Sequence, residues 1–161
     1  ALGQAHLHLA AKMVELICQH YDQFGHELTQ LYDGVPELLN ALDQNNIRKV
    51  VLSNKPDSPA KYTVQHKLAD WSFDAVRGHL PPTPLKPDPT SAIMLMSQLN
   101  IAPDRWLYLG DSPVDMHTAN AAGIFSVAAT WGFNDKQALL DAGAQALIDH
   151  PLELVPLLTG N

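Results

Sequence analysis

Two carboxylates, Asp111 and Asp115, stand four residues apart in the stretch LYLGDSPVDMHTANAAG, directly after the short apolar run Trp106 to Leu109. Upstream, Ser53 follows the run Val50 to Leu52, and Lys86 lies in the proline-rich stretch HLPPTPLKPDP, His79 to Pro89. A hydroxyl and the free backbone N–H groups at a helix start hydrogen-bond phosphate oxygens. An ammonium neutralises charge, and adjacent carboxylates suit a hard cation such as Mg2+, which takes oxygen ligands and keeps several waters. Together these groups describe a phosphoryl-transfer site, where charge stabilisation and positioning dominate the chemistry. Each has a plainer role when taken singly. Ser53 reads as a turn residue, Lys86 as a solvated charge, Asp111 as an N-cap for a helix opening at Pro113, and Asp115 as a first-turn partner of the helix dipole. Their weight therefore depends on the elements that hold them.

Those elements alternate. Leu9, Met13, Leu16, Ile17, Tyr21 and Phe24 recur at helical spacing before Gly25, which predicts an amphipathic helix over much of residues 1–25. After the turn Tyr32-Asp33-Gly34, Pro36 opens a helix through about Leu42. Strands are predicted at Lys49–Leu52, Phe73–Val76, Trp106–Leu109, Ile124–Ala129 and Ala146–Ile148. Between and after them, helices are predicted from near Ser58-Pro59, over Thr90–Leu99, Pro113–Ala122 and Lys136–Ala142, and from Pro151. Strands alternating with helices make an α/β domain with a largely parallel sheet. In such sheets ligands bind beyond the carboxyl ends of the strands, which is where Ser53, Lys86 and Asp111 all fall.

Composition sets the outer bounds. A chain of 161 residues with 46% hydrophobic content can bury a core as one main domain. Ten Lys and Arg against 17 Asp and Glu give a formal charge of -7, and no basic run offers a nucleic-acid footprint. The longest weakly polar run, Ala121 to Ala129, falls far short of the ~20 residues a membrane-spanning helix needs. Cys18 is the single cysteine, so no internal disulfide forms, and nothing resembles a secretory signal. A cytoplasmic home is the expectation. His6 and His8 leave a helix on different sides and make a poor metal pair.

VVLSNKPD, LKPDP and YLGDSPVDMHTANAAG resemble the second, third and fourth motifs of the haloacid dehalogenase-type hydrolases, in their phosphoglycolate phosphatase-like branch. FDAVRG before the lysine loop and ATWGF at Ala129 to Phe133 fit the same branch. The similarity runs from about Tyr32 to Leu158. It implies a Rossmann-like parallel sheet flanked by helices and a Mg2+-dependent attack on a small phosphorylated metabolite through an aspartyl phosphate. It implies Ser53 and Asn54 on the phosphate, Lys86 between phosphate and nucleophile, Asp111 on Mg2+, Asp115 supporting the metal waters and Lys86, and Ser112 assisting through the metal shell.

The family's nucleophile motif, DxDGT at the end of the first strand, has no counterpart here. Leu31-Tyr32-Asp33-Gly34-Val35 has Leu where the nucleophile belongs and no apolar strand before it. The chain begins with Ala1, so the expectation is a nucleophile upstream of it, with 1–30 the last part of a helical cap and 31–161 a core lacking its first strand. In this fold that strand lies mid-sheet, and its absence would leave strand edges open to self-association. A receiver domain places its acidic pair early and its lysine late, opposite to the order here. A dehalogenase has no need of the metal that Asp111 and Asp115 imply, and the motifs do not separate a phosphatase from a phosphomutase. A family member that only binds phosphate and Mg2+ is the open alternative.

Overall fold

The computed structural model describes residues 29–159, together with Leu9, Lys12, Met13, Glu15, Leu16 and Gln19. Those six are helical, as predicted, while Leu9, Met13 and Leu16 of the predicted apolar stripe are exposed. Ile17, Tyr21, Phe24 and Gly25, with His6, His8, Cys18 and His20, lie outside the described residues, as does most of the expected cap.

Helix α1 spans Val35–Gln44, entered through Gly34 at φ 82° with a proline in its first turn. Strand β1 follows at Val50–Pro56, then α2 at Asp57–Lys67, β2 at Ala75–His79 and α3 at Thr90–Leu99. Next come β3 at Leu107–Gly110, α4 at Pro113–Ala121, β4 at Phe125–Ala129, α5 at Lys136–Asp141, β5 at Ala146–Ile148 and α6 at Leu154–Thr159. The predicted alternation holds throughout, with small shifts at the ends. The last helix opens as a 3-10 turn, Pro151–Glu153, because a proline start leaves N–H groups that the His150 ring and carbonyl help to satisfy.

Strand β1 runs on past Leu52, where the sequence predicts a stop at Ser53-Asn54, because β2 holds its polar end. The register breaks between Leu52 and Pro56, and the Gly78 N–H donates to Asp57 Oδ1 at 3.0 Å. A Cβ on Gly78 would sit 2.7 Å from the Lys55 carbonyl oxygen and 2.5 Å from the Asp57 Cα, so only glycine admits this crossing. The segment that carries Ser53 and Asn54 is thereby fixed from the next strand.

Every strand pairing is parallel, but the strands form two sheets, β1-β2 and β3-β4-β5. Helices cover both faces. Leu38, Leu39 and Leu42 of α1 pack with Val127, Ile148 and Leu154 on one face. Ala92 and Met96 of α3 pack with Ala119, Ala122 and Ile124 on the other, reaching Leu52, Trp106 and Tyr108. Between β1 and β3 no ladder forms. A groove of about 1070 Å³ opens there on the α1 side, lined by Val50, Leu107 and Leu109 with Leu38, Leu42 and Leu154. On the α3 side the same strands line a smaller cavity of about 260 Å³, with Leu52, Ala92, Leu95 and Tyr108.

Candidate active site

The small cavity between β1 and β3 is also lined by Lys86, Asp111 and Asp115. Its polar end is built at the carboxyl ends of these strands, as the switch-point rule requires.

Asp115 is the most constrained of these groups. Ser112 caps α4, and its hydroxyl donates to Asp115 Oδ2 at 2.7 Å while accepting from the Asp115 N–H at 3.3 Å. Lys86 Nζ donates to Asp115 Oδ1 at 2.6 Å, and the Tyr108 hydroxyl reaches the same oxygen at 3.2 Å. The side chains of Lys86 and Asp115 are only 13% and 9% exposed. Burial alone would raise the Asp115 carboxyl, but the Lys86 charge and the bonds from Lys86, Ser112 and Tyr108 outweigh it and hold the group below its ordinary value. The carboxylate is fixed against Gly110, where a Cβ would stand 2.3 Å from the Asp115 Cβ.

Lys86 reaches this position from a loop that β1 fastens. The Asn54 side chain accepts from the Lys86 N–H at 2.8 Å and donates to the Lys86 carbonyl at 3.0 Å. The ammonium then donates to the Leu52 carbonyl at 3.4 Å and to the Tyr108 hydroxyl at 3.2 Å. Ser53, half-buried beside Leu52, accepts from the Lys55 N–H at 3.1 Å, which organises the turn after the apolar part of β1.

Asp111 contrasts with Asp115. Among the described residues its carboxylate has no hydrogen-bond or ion-pair partner, and only its carbonyl is bound, by the Asn134 amide at 2.9 Å. An unengaged carboxylate beside a committed one fits Mg2+, which is held by one or two protein carboxylates and completes its shell with water and phosphate oxygens. No cluster of three His, Cys, Asp or Glu side chains able to hold a metal occurs among the described residues. No described helix is long and apolar enough to cross a membrane.

Asn54, Lys86, Asp115 and Ser112 are thus joined by hydrogen bonds across the β1 and β3 ends, and Asp111 lines the same cavity. Ser53 is next to Asn54 in the chain, but its hydroxyl bonds only the Lys55 N–H among the contacts of the described residues. Asp33 does not join them. It is exposed in the turn before α1, whose Gly34 lies against His150 and Pro151, and it is absent from the cavity lining. Trp131 packs against the core. Tyr108 was hidden in the sequence as an ordinary strand residue of LYLG. Burial, then the Asp115 charge and hydrogen bond, push its phenol far up, so it stays a neutral donor between the ammonium and the carboxylate.

Comparison with known proteins gives a consistent set of likenesses. The family model described as haloacid dehalogenase-like hydrolase matches residues 3–129. A phosphoglycolate phosphatase from Photobacterium profundum is 31% identical over 144 residues, which are 89% of this chain and 62% of that protein. Another, from Rhodospirillum rubrum, is 37% identical over 120 residues, 74% of this chain and 49% of its own. A haloacid dehalogenase-like family hydrolase from Streptococcus pneumoniae superposes with a TM-score of 0.84 over 99% of this chain and 73% of its own. At 23% identity that likeness is one of fold. A superfamily hydrolase of subfamily IA, variant 1, from Geobacter sulfurreducens is 26% identical with a TM-score of 0.65, covering 78% of this chain and 55% of its own. The chain spans 62% and 59% of the length of two of the phosphatases it matches.

Proposed function

Because the chain belongs to the haloacid dehalogenase-like hydrolase family, we propose that it supplies the phosphate- and cation-binding machinery of a Mg2+-dependent phosphomonoester hydrolase of the phosphoglycolate phosphatase-like branch. The observation that carries this reading is the buried Lys86–Asp115 pair standing beside an unengaged Asp111 carboxylate at the carboxyl ends of β1 and β3. That arrangement offers one fixed positive charge for a phosphoryl oxygen and one free hard ligand for a cation.

In this proposal Lys86 faces the phosphoryl group and its attacker, while Asp115, Ser112 and Tyr108 hold the ammonium in place. Ser53 hydrogen-bonds a phosphate oxygen, and Asn54 serves the phosphate by pinning Lys86. Asp111 would hold Mg2+, with Ser112 and Asp115 assisting through its waters. When bound there the ion neutralises phosphoryl charge.

The nucleophile is assigned to an aspartate on a strand that fills the gap between β1 and β3. Its carboxylate oxygen attacks phosphorus as the ester P–O bond breaks, giving an aspartyl phosphate, and water then hydrolyses that anhydride with an upstream general base. The open edges of both sheets and their apolar lining support this assignment. On this reading 1–30 is the end of a helical cap, and 31–161 a core awaiting one strand. The exposed edges favour self-association of the chain by itself. The substrate is a small phosphorylated metabolite, with phosphoglycolate favoured by the names of the relatives. The chain by itself binds phosphate and Mg2+ without turnover.

The test is Mg2+-dependent phosphate release from phosphoglycolate and a generic aryl phosphate. It compares the 161-residue chain, a version extended N-terminally by an acid-bearing strand, and Asp111→Asn in each. Activity in the extended version alone, abolished by Asp111→Asn, is the expected result. Turnover by the shorter chain would place a nucleophile within it, with Asp33 the first to examine. Activity indifferent to Asp111→Asn would overturn the site.

A further inference from the structure

Asp111 does not hold itself in place. Its carboxylate has no partner among the described residues, yet a second loop, Thr130 to Asp135 after β4, bears on it from two directions. A Cβ built on Gly132 would lie 2.3 Å from both Asp111 Cβ and Oδ2 and 2.7 Å from Cγ. The Asp111 side chain therefore lies flush on the bare backbone of Gly132. Two residues on, the Asn134 amide donates to the Asp111 carbonyl at 2.9 Å.

The loop that makes these contacts is itself tied down. At its start the Thr130 N–H donates to the Ile148 carbonyl at 3.1 Å, and the Thr130 hydroxyl bonds Asp149 and Ile148. At its end the Asp135 side chain caps α5 by accepting from the Ala138 N–H at 2.8 Å. Trp131 is anchored in the core, whereas Phe133 is 94% exposed. Successive residues thus point to the core, to Asp111, to solvent and back to Asp111. A short segment fixed at both ends and at Trp131 has little freedom to yield, so the residue at 132 decides where the carboxylate of Asp111 can be.

We propose that Gly132 and Asn134 are positioning residues for the cation site: they hold Asp111, side chain and main chain respectively, at the angle from which it ligates a divalent ion. The inference rests on the cation role proposed for Asp111. It goes further in assigning the setting of that ligand to a loop from the next βα unit. Loss of a partner that orients a metal-binding group typically costs about 10–100-fold in metal affinity.

The test uses Mn2+ as the probe, titrated into the 161-residue chain and followed by electron paramagnetic resonance of the free ion, with circular dichroism to confirm folding. Asp111→Asn should remove the bound fraction. Gly132→Ala should weaken Mn2+ binding by about 10-fold or more, and Asn134→Ala by a smaller factor in the same direction. Phe133→Ala, in the same loop but off Asp111, should leave binding unchanged. Folded Gly132→Ala and Asn134→Ala that bind as the unaltered chain does would overturn the proposal, as would an equal loss in Phe133→Ala. If Gly132→Ala does not fold, Asn134→Ala decides alone. If the unaltered chain and Asp111→Asn behave alike, the cation role of Asp111 fails and the positioning role falls with it.

Discussion

Replacing Lys86 by methionine keeps most of the side-chain volume and removes the charge that faces Asp115. The ammonium stands 2.6 Å from Asp115 Oδ1, and both side chains are nearly shut off from water. Breaking one half of a buried pair typically costs about 3–5 kcal/mol because the other charge is stranded. Asp115 keeps its bonds from Ser112 and Tyr108, each worth about 1.5–3 kcal/mol to a charged acceptor, which places Lys86→Met near the lower end, at about 3 kcal/mol at neutral pH.

The pH dependence distinguishes this cause from simple loss of packing. In the unaltered chain burial raises the Asp115 carboxyl, but the Lys86 charge and the hydrogen bonds prevail, so its folded value lies below 3.8. Its stabilising contribution is complete above 3.8 and is lost as pH falls through the depressed value. In Lys86→Met burial acts without the opposing charge, and the carboxyl moves upward. The variant then gains from protonating Asp115 at low pH, so the penalty of the substitution must grow as pH rises from about 4 to about 7. Asp57 and Asp74 are also lowered, but they are common to both proteins and cancel in the difference. Urea unfolding of both chains at those two pH values, with Asp115→Asn and the double variant, measures the effect. An equal loss at both pH values would refute the reasoning, as would a double variant whose loss is the plain sum of the singles.

Tyr108→Phe should cost about 1.5–3 kcal/mol and move Asp115 upward toward the ordinary carboxylate value, because one of the bonds that lowers it is gone. A carbon-13 NMR titration of Asp115 unchanged by the substitution would sink that role. The gap between β1 and β3 is roomy on the α1 side and tight on the α3 side, about 1070 against 260 Å³. An extended peptide with bulky apolar residues in one phase and small ones in the other should therefore dock in one register and raise the melting temperature. The same composition shifted by one residue presents its bulky face to Ala92 and Leu95 and should not dock. Equal shifts from both peptides would mean that the groove does not select a strand.

Much of this arrangement is legible in the sequence because its signals are local. Ser53 and Asp111 each follow a short apolar run, and the Ser112-Pro113 start of α4 is written in adjacent residues. Tyr108 was not legible, since its partner Lys86 is distant in sequence and a tyrosine in a strand signals only a half-buried surface. Gly132 and Asn134 were equally silent, because what they touch depends on how the loop after β4 folds over the one after β3. Periodicity was blind to the gap in the sheet, as a strand's own pattern does not report whether its far edge is paired. Resemblance to the family, not spacing, raised that expectation. The gap and the site are nonetheless one problem. The Lys86 ammonium touches the Leu52 carbonyl of one sheet and Tyr108 and Asp115 of the other. The distance between the sheets therefore enters the geometry of the charge that faces phosphate. A strand seated between β1 and β3 would set that distance through two backbone ladders at once. It would thus do more than deliver a nucleophile, since it would also hold Lys86 where the nucleophile needs it.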